Sequence, residues 1–250
     1  MSCLLETRDL TIRFGGQVAV NAVTCAFQPG TLTAIVGPNG AGKTTYFNLI
    51  SGQLAATSGS VWFGGENVTG LGVHQRARRG IGRAFQLTNL FPHLSVLENV
   101  RLAVQARSRA GVDLFSMATS HRNLIEQAMA YLERVALAAK SHLPAAALSH
   151  GDQRKLEVAL MLALEPDIFM FDEPTAGMSV DEVPVLLDLI EAIKRQGDKT
   201  ILLVEHKMDV VRRLADRIIV LHNGTLVADG DPAEVVALPV VQEAYLGVRR

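Results

Sequence analysis

At 250 residues the chain is long enough for one large core, and its length argues against two independent domains. Charged residues make up 20% and hydrophobic residues 48%, with a net charge of -1, which excludes a disordered chain and removes any global electrostatic case for nucleic acid. Two cysteines, Cys3 and Cys25, have neither metal-ligand spacing nor the number for a disulfide framework and read as reduced thiols.

The most apolar stretch, VALMLALEPDIFMF (158 to 171), is broken by Glu165, Pro166 and Asp167, short of the roughly 18 apolar residues of a membrane helix. The start, MSCLLETRDL, lacks a basic segment followed by an apolar run. The expectation is a cytoplasmic protein that works at a membrane only through a partner.

From Leu5 to Leu32, short apolar runs separated by Gly15-Gly16 and Pro29-Gly30 predict antiparallel strands. LTAIVG (32 to 37) predicts a strand that stops at a glycine-rich loop, and TTYFNLISGQL has helical spacing. Between Thr88 and about Ser149 the texture turns to alanine, leucine and arginine with helical periodicity, as in VLENVRLAVQARSRA, which predicts an inserted helical subdomain. DIFMFDE (167 to 173) and TILLVEH (200 to 206) read as buried parallel strands flanking a helix from Glu182 to Arg195. RIIVLHNGTLVADG predicts a hairpin turning at Asn223-Gly224. The basic run HQRARRGIGR (74 to 83), without interleaved aromatics, reads as a solvated face rather than a nucleic-acid patch.

GPNGAGKTT (Gly37, Pro38, Asn39, Gly40, Ala41, Gly42, Lys43, Thr44 and Thr45) fits the phosphate-loop pattern GxxxxGK[ST] in its strand-loop-helix context. Glycines let backbone N–H groups close on a phosphate, the helix N-terminus adds positive potential, Lys43 is a point charge for the β- and γ-phosphates, and the Thr44 hydroxyl is placed to ligate Mg²⁺. The buried run IFMF ends in Asp172-Glu173, an acidic pair that is costly without a cation or solvent. Their natural roles are Asp172 toward Mg²⁺, through a water or directly, and Glu173 as general base for an attacking water. His206 ends the next strand at the same sheet edge, within reach of a γ-phosphate, and Gln86 is a neutral group able to touch both metal shell and water.

With these segments in this order, the chain resembles the ABC ATPase family: Walker A GPNGAGKTT, a glutamine loop at Gln86, a signature-like LSHGDQRK (148 to 155), Walker B IFMFDEP and the switch histidine His206. The resemblance implies an α/β P-loop NTPase (RecA-like) core with a mostly parallel sheet, an antiparallel β subdomain on its N-terminal side and an inserted helical subdomain. The implied division is core 1–87 and 155–230, helical subdomain 88–154 and C-terminal tail 231–250. It further implies that ATP and Mg²⁺ are bound, that Phe14 stacks on adenine, and that Ser149, Gly151 and Gln153 contact ATP held by a second ATPase subunit in a head-to-tail dimer. The implied partners are integral membrane permease subunits and, indirectly, a solute-binding protein, on the inner face of the cell membrane.

IRFGG, RAFQLTNLFPHLSVLENV, EPTAGMS and DPAEVVALPVVQEAYLG look like the ATPase subunits of importers for branched-chain or other amino acids and related polar solutes, with urea and short-amide importers as the alternative. ABC ATPases of DNA repair or translation resemble longer chains with coiled-coil inserts or tandem cassettes. Three positions depart from the family: His150 and Asp152 in the signature, where Asp152 brings negative charge toward a triphosphate, and Ser179 where an aspartate is usual.

Overall fold

The structure, a computed structural model, describes residues 3–84, 90–108 and 118–246. Its chain divides into two compact units, residues 1–83, 167–173 and 191–250, and residues 84–166 and 174–190. The helical stretch expected over 88–154 lies inside the second.

The chain opens with the antiparallel pair β1 (Leu5–Phe14) and β2 (Gln17–Phe27), then β3 (Leu32–Val36) and α1 (Lys43–Ser51). β4 (Ser58–Phe63) and β5 (Glu66–Asn67) join the first pair in a four-stranded sheet ordered β2-β1-β4-β5. α2 (Val73–Arg78) and β6 (Ile81–Ala84) follow, then α3 (Val96–Arg107), α4 (Ala118–Arg134) and α5 (His150–Leu164). The remainder is β7 (Ile168–Asp172), α6 (Val183–Lys194), β8 (Thr200–Val204), α7 (Met208–Leu214), β9 (Arg217–His222), β10 (Thr225–Gly230), α8 (Pro232–Ala237) and α9 (Pro239–Leu246). A second sheet runs β10-β9-β3-β8-β7-β6, with β3 parallel to β8 and β9, β7 parallel to β8, and the β9–β10 hairpin antiparallel.

Every residue of β3, β7 and β8 is buried, as continuous apolar strands covered on both faces require. The inward face of the β1–β2 hairpin, including Leu10, Val20 and Phe27, joins Tyr46 and Phe47 of α1 and Met170 and Leu202 of the parallel strands in one core. Tyr46, itself fully buried, shares a 2.8 Å hydrogen bond with the Thr7 hydroxyl, so the antiparallel sheet and α1 are joined by a polar pin as well as by apolar burial. In the second unit α3 packs on α4 and α5, and α3 is N-capped by Ser95, whose hydroxyl accepts from the Glu98 N–H at 3.1 Å.

The basic run is not the solvated face expected from its composition. Arg78 and Arg79 are exposed, but Arg76 and Arg83 are buried. Arg76 donates to the carbonyls of Leu49 and Ile50 at 2.6 and 2.7 Å, and to those of Thr69 and Leu71 at 2.8 and 2.9 Å. It thereby satisfies carbonyls at the end of α1, where a cation also meets the negative pole of the helix dipole. Burial pushes its pKa down to about 10. Arg76→Ala is expected to lower unfolding stability by about 3 kcal/mol in urea titrations, against less than about 0.5 kcal/mol for Arg78→Ala, because only Arg76 is buried and donates to the buried carbonyls of Leu49 and Ile50. Equal losses at the two positions would contradict this capping role.

Candidate nucleotide site

The site begins where β3 runs out. Gly42 precedes α1 at φ 95°, and a Cβ on it would stand 2.4 Å from the Ala19 carbonyl oxygen, so neither the backbone conformation nor the space admits a side chain. The loop is held from outside by main chain: Gly224 N–H donates to the Ala41 carbonyl at 3.0 Å and Asn21 N–H to the Gly224 carbonyl at 2.8 Å. Asn223 and Gly224 both have positive φ, 49° and 77°, as a type I′ hairpin turn requires, which places the β9–β10 turn against the phosphate loop. Lys43 is buried and its ammonium donates to the Gly37 and Pro38 carbonyls at 2.7 and 3.0 Å. Burial lowers its pKa against the opposing pull of Glu173 and Asp172. The open side is a cavity of about 500 Å³ lined by Phe14 and Gln17, residues 39–45, Glu173 and the 223–224 turn. Phe14 is half exposed on its wall, at the end of β1.

Strand order does the rest. β3, β8 and β7 lie side by side and parallel, so the phosphate loop, the 205–207 segment and Asp172-Glu173 all leave the sheet at one edge. The Asp172 side chain is sealed from solvent; Arg83 donates to its Oδ2 at 2.9 Å, while Oδ1 is buried with no hydrogen-bond partner among the described residues. Burial raises the Asp172 pKa, against Arg83 and with the help of Glu173. Glu173 stands at φ 49°, its N–H bonded to the Val204 carbonyl at 2.9 Å, which turns its carboxylate away from the strand and toward the cavity. Its Oε2 lies 3.4 Å from His206 Nε2. The His206 and Lys207 N–H groups both donate to Oε2 of the buried Glu205, at 2.8 and 3.2 Å.

The signature-like segment belongs to the second unit. Ser149 is the N-cap of α5, its hydroxyl accepting from the Asp152 N–H at 3.2 Å. Gly151 lies directly beneath a carboxylate: a Cβ there would meet Glu182 Oε1 at 2.0 Å. That carboxylate is fixed by the Ser179 N–H and hydroxyl, at 3.2 and 2.9 Å from Oε2, which hold it below its ordinary pKa. Gln153 donates to the Leu148 carbonyl at 3.3 Å, and His150 is exposed. Asp152 does not carry a bare charge: Lys140 bonds its Oδ2 and Lys155 its Oδ1, the latter at 3.2 Å. Although burial opposes them, these two cations hold the Asp152 carboxyl below its ordinary pKa of 3.8.

Lys43, Thr44, Asp172, Glu173 and His206 are thus gathered at one sheet edge with Phe14 and the loop glycines, while Ser149, Gly151 and Gln153 cluster separately around the start of α5. Gln86 lies outside the described residues. Sequence reasoning puts Arg83 in a solvated basic run and the 223–224 turn in a hairpin, gives Glu205 no role, and assigns none of the three to the site. Of these only Asn-Gly carried a signal, and it announced a hairpin, not a cavity wall.

Gly42→Ala is expected to weaken binding of a fluorescent ATP analogue by at least about tenfold, whereas Gly40→Ala, where nothing lies within 4 Å of the added methyl, should cost only its backbone strain. Similar losses at both positions would remove the close approach as the cause. For Asp152, whose folded-state pKa is lowered, the stabilisation by its lysines is present above 3.8 and lost as the pH falls through the folded value. The stability gap between the native chain and Asp152→Asn, measured by urea unfolding, should therefore be open at pH 7 and close in acid.

The comparisons with known proteins match this architecture. The ABC transporter family model matches residues 20–176. The branched-chain amino acid transport ATP-binding proteins LivG of Escherichia coli K12 and BraF of Pseudomonas aeruginosa are each 37% identical over 249 residues, covering 98% of this chain and 98% of the relative. A probable LivG of Archaeoglobus fulgidus is 32% identical over 251 residues, 98% of this chain and 96% of its own. Among solved structures, an ABC transporter ATP-binding cassette in its ADP conformation superposes with a TM-score of 0.83 at 27% identity, covering 99% of this chain and 100% of that one. A dimeric cassette in a post-hydrolysis state with ADP and Pi gives 0.78 at 25% identity, covering 91% and 98%. Phosphate loop, acidic strand end and strand-end histidine on this sheet order, together with a likeness that runs the length of the chain, place it in the ABC transporter family of ATP-binding, ATP-hydrolysing subunits.

Proposed function

We propose that the chain is the ATP-hydrolysing subunit of an importer for branched-chain amino acids, working as a head-to-tail dimer on the inner face of a membrane permease. The solute rests on the near full-length likeness to LivG and BraF. The catalytic roles rest on one observation: Lys43, Asp172, Glu173 and His206 converge where three parallel strands end, beside a cavity that Phe14 and the phosphate loop enclose.

Phosphoryl transfer to water is mostly positioning plus charge stabilisation. Phe14 is proposed to stack on adenine, residues 37–45 to enclose the phosphates with backbone N–H groups, and Lys43 to exchange its loop carbonyls for β- and γ-oxygens. The donor set suits Mg²⁺: the Thr44 hydroxyl, and an Asp172 carboxyl oxygen that is buried and without a hydrogen-bond partner among the described residues. Gln86 is proposed to join that shell, as the family resemblance implies. Bound Mg²⁺ would neutralise charge on the phosphate oxygens. Glu173 is proposed to take the proton of the attacking water onto its carboxylate, and His206, 3.4 Å away, to orient it and face the γ-phosphate. Ser149, Gly151 and Gln153 are proposed to contact the triphosphate held by a second subunit, as the family resemblance implies, and the dimeric solved cassette supports the dimer on which this depends. Among the described residues no helix is long and apolar enough to cross a membrane, so the permease would provide the membrane path.

Glu173→Gln should lower phosphate release by about 10²- to 10³-fold and accumulate an ATP-bound dimer on size-exclusion chromatography, since binding groups remain while the base is lost. Unchanged turnover would remove the general-base role. For the solute, deletion of this gene should abolish uptake of labelled leucine; loss of urea or amide uptake with leucine uptake intact would transfer the assignment to that class.

A further inference from the structure

Arg83 is used by no step above, yet its placement is specific. One terminal nitrogen donates to Asn48 Oδ1, Ser51 Oγ and Gln53 Oε1 at 2.6, 2.9 and 3.1 Å, all on or just beyond α1. The other donates to Asp172 Oδ2 at 2.9 Å, and the guanidinium lies over the Phe47 ring at 5.1 Å. Charge balance alone would need only the bond to Asp172. Instead the fork is fixed from one side by the helix that starts at Lys43, and on the other it occupies one carboxylate oxygen while Oδ1 stays buried and unpartnered among the described residues. A fork held this way sets both the torsion of the carboxylate and the number of oxygens it can offer.

We propose that Arg83 is the positioning residue of the metal-binding carboxylate: it takes Oδ2 of Asp172, restricts a divalent cation to Oδ1, and by its own charge weakens that cation's binding. The inference rests on the assignment of Asp172 to the metal. It gives two effects of opposite sign. Removing the guanidinium frees a second oxygen and lifts a repulsion, which tightens metal binding; it also releases the carboxylate from its torsion, which slows turnover. A residue that merely supported the fold would move both downward.

The test uses the full chain with a non-hydrolysable ATP analogue and Mn²⁺ as the probe. In Arg83→Met, which keeps an apolar stem over Phe47, Mn²⁺ affinity by electron paramagnetic resonance should be about fivefold tighter. The Mn²⁺-induced rise in Tm should exceed that of the native chain, because the ion now partners a buried charge. With ATP and Mg²⁺, kcat should fall about tenfold with little change in KM. Arg83→Lys, which keeps the charge without the fork, should retain native Mn²⁺ affinity within about twofold and still lose several-fold in kcat. Mn²⁺ binding in Arg83→Met that is unchanged or weaker overturns the proposal, and if that variant does not fold, native kcat in Arg83→Lys, or weakened Mn²⁺ binding there, overturns it. Asp172→Asn separates the two readings. If Mn²⁺ affinity is indifferent to that change, the metal assignment fails and carries the Arg83 role with it; if Asp172→Asn weakens Mn²⁺ and Arg83→Met does not tighten it, only the Arg83 role fails.

Discussion

A carboxylate at the end of a strand that is buried along its whole length must have a positive partner, because an uncompensated charge there costs several kcal/mol. Asp172 meets that requirement through Arg83, and much of the first unit follows from it. Arg83 comes from β6, next to β7, and its other donors reach the helix that carries Lys43, so the acidic strand end and the phosphate loop are held at a set separation through one planar cation. Lysine, a single point charge on a flexible stem, would balance the charge without fixing the distance.

The second unit solves a similar problem with weaker means. Asp152 sits in the first turn of α5, where the helix dipole already favours an anion, and Lys140 and Lys155 complete its neutralisation. Glu182 is held by the N–H and hydroxyl of Ser179. The two departures from the family pattern that carry charge or its usual partner, Asp152 and Ser179, are therefore each accounted for by a neighbour within the same unit. Ser179 in particular spends its polar groups on Glu182, which in turn covers Gly151.

How much of this could be read from the residues depended on whether the signal was local. The phosphate loop, the apolar strands and the Asn-Gly hairpin are each written in contiguous residues whose spacing or backbone preference has one physical meaning. The burial of Arg76 and Arg83 is not. Four arginines within ten residues read as one face, but α2 ends at Arg78 and the chain turns at Gly80, with φ 104°, before entering β6, so the run is distributed over a helix, a turn and a buried strand. Glu205 was hidden for a different reason. In TILLVEH it follows an apolar run and precedes a histidine that took the functional reading, while its partners are backbone N–H groups of the next two residues, which composition cannot show. The cluster around Ser149 is legible only through family likeness, and Glu182, brought there by a turn some thirty residues downstream, carries no local signal in the sequence.

The phosphate loop is bonded at the Ala41 carbonyl to the 223–224 turn, the turn is held in its place by the Asn21 N–H, the Ala19 carbonyl closes off the space beside Gly42, and all of this is done by main-chain atoms. The exposed side chain at position 21 can therefore change without altering these bonds, whereas Ala19 also packs on the core, and neither the 19–21 stretch nor the turn can gain or lose a residue without carrying its carbonyl or amide out of register. The nucleotide site is in this sense tolerant of spelling and intolerant of length, and its integrity is guarded by strand register in segments that never appear in its motif.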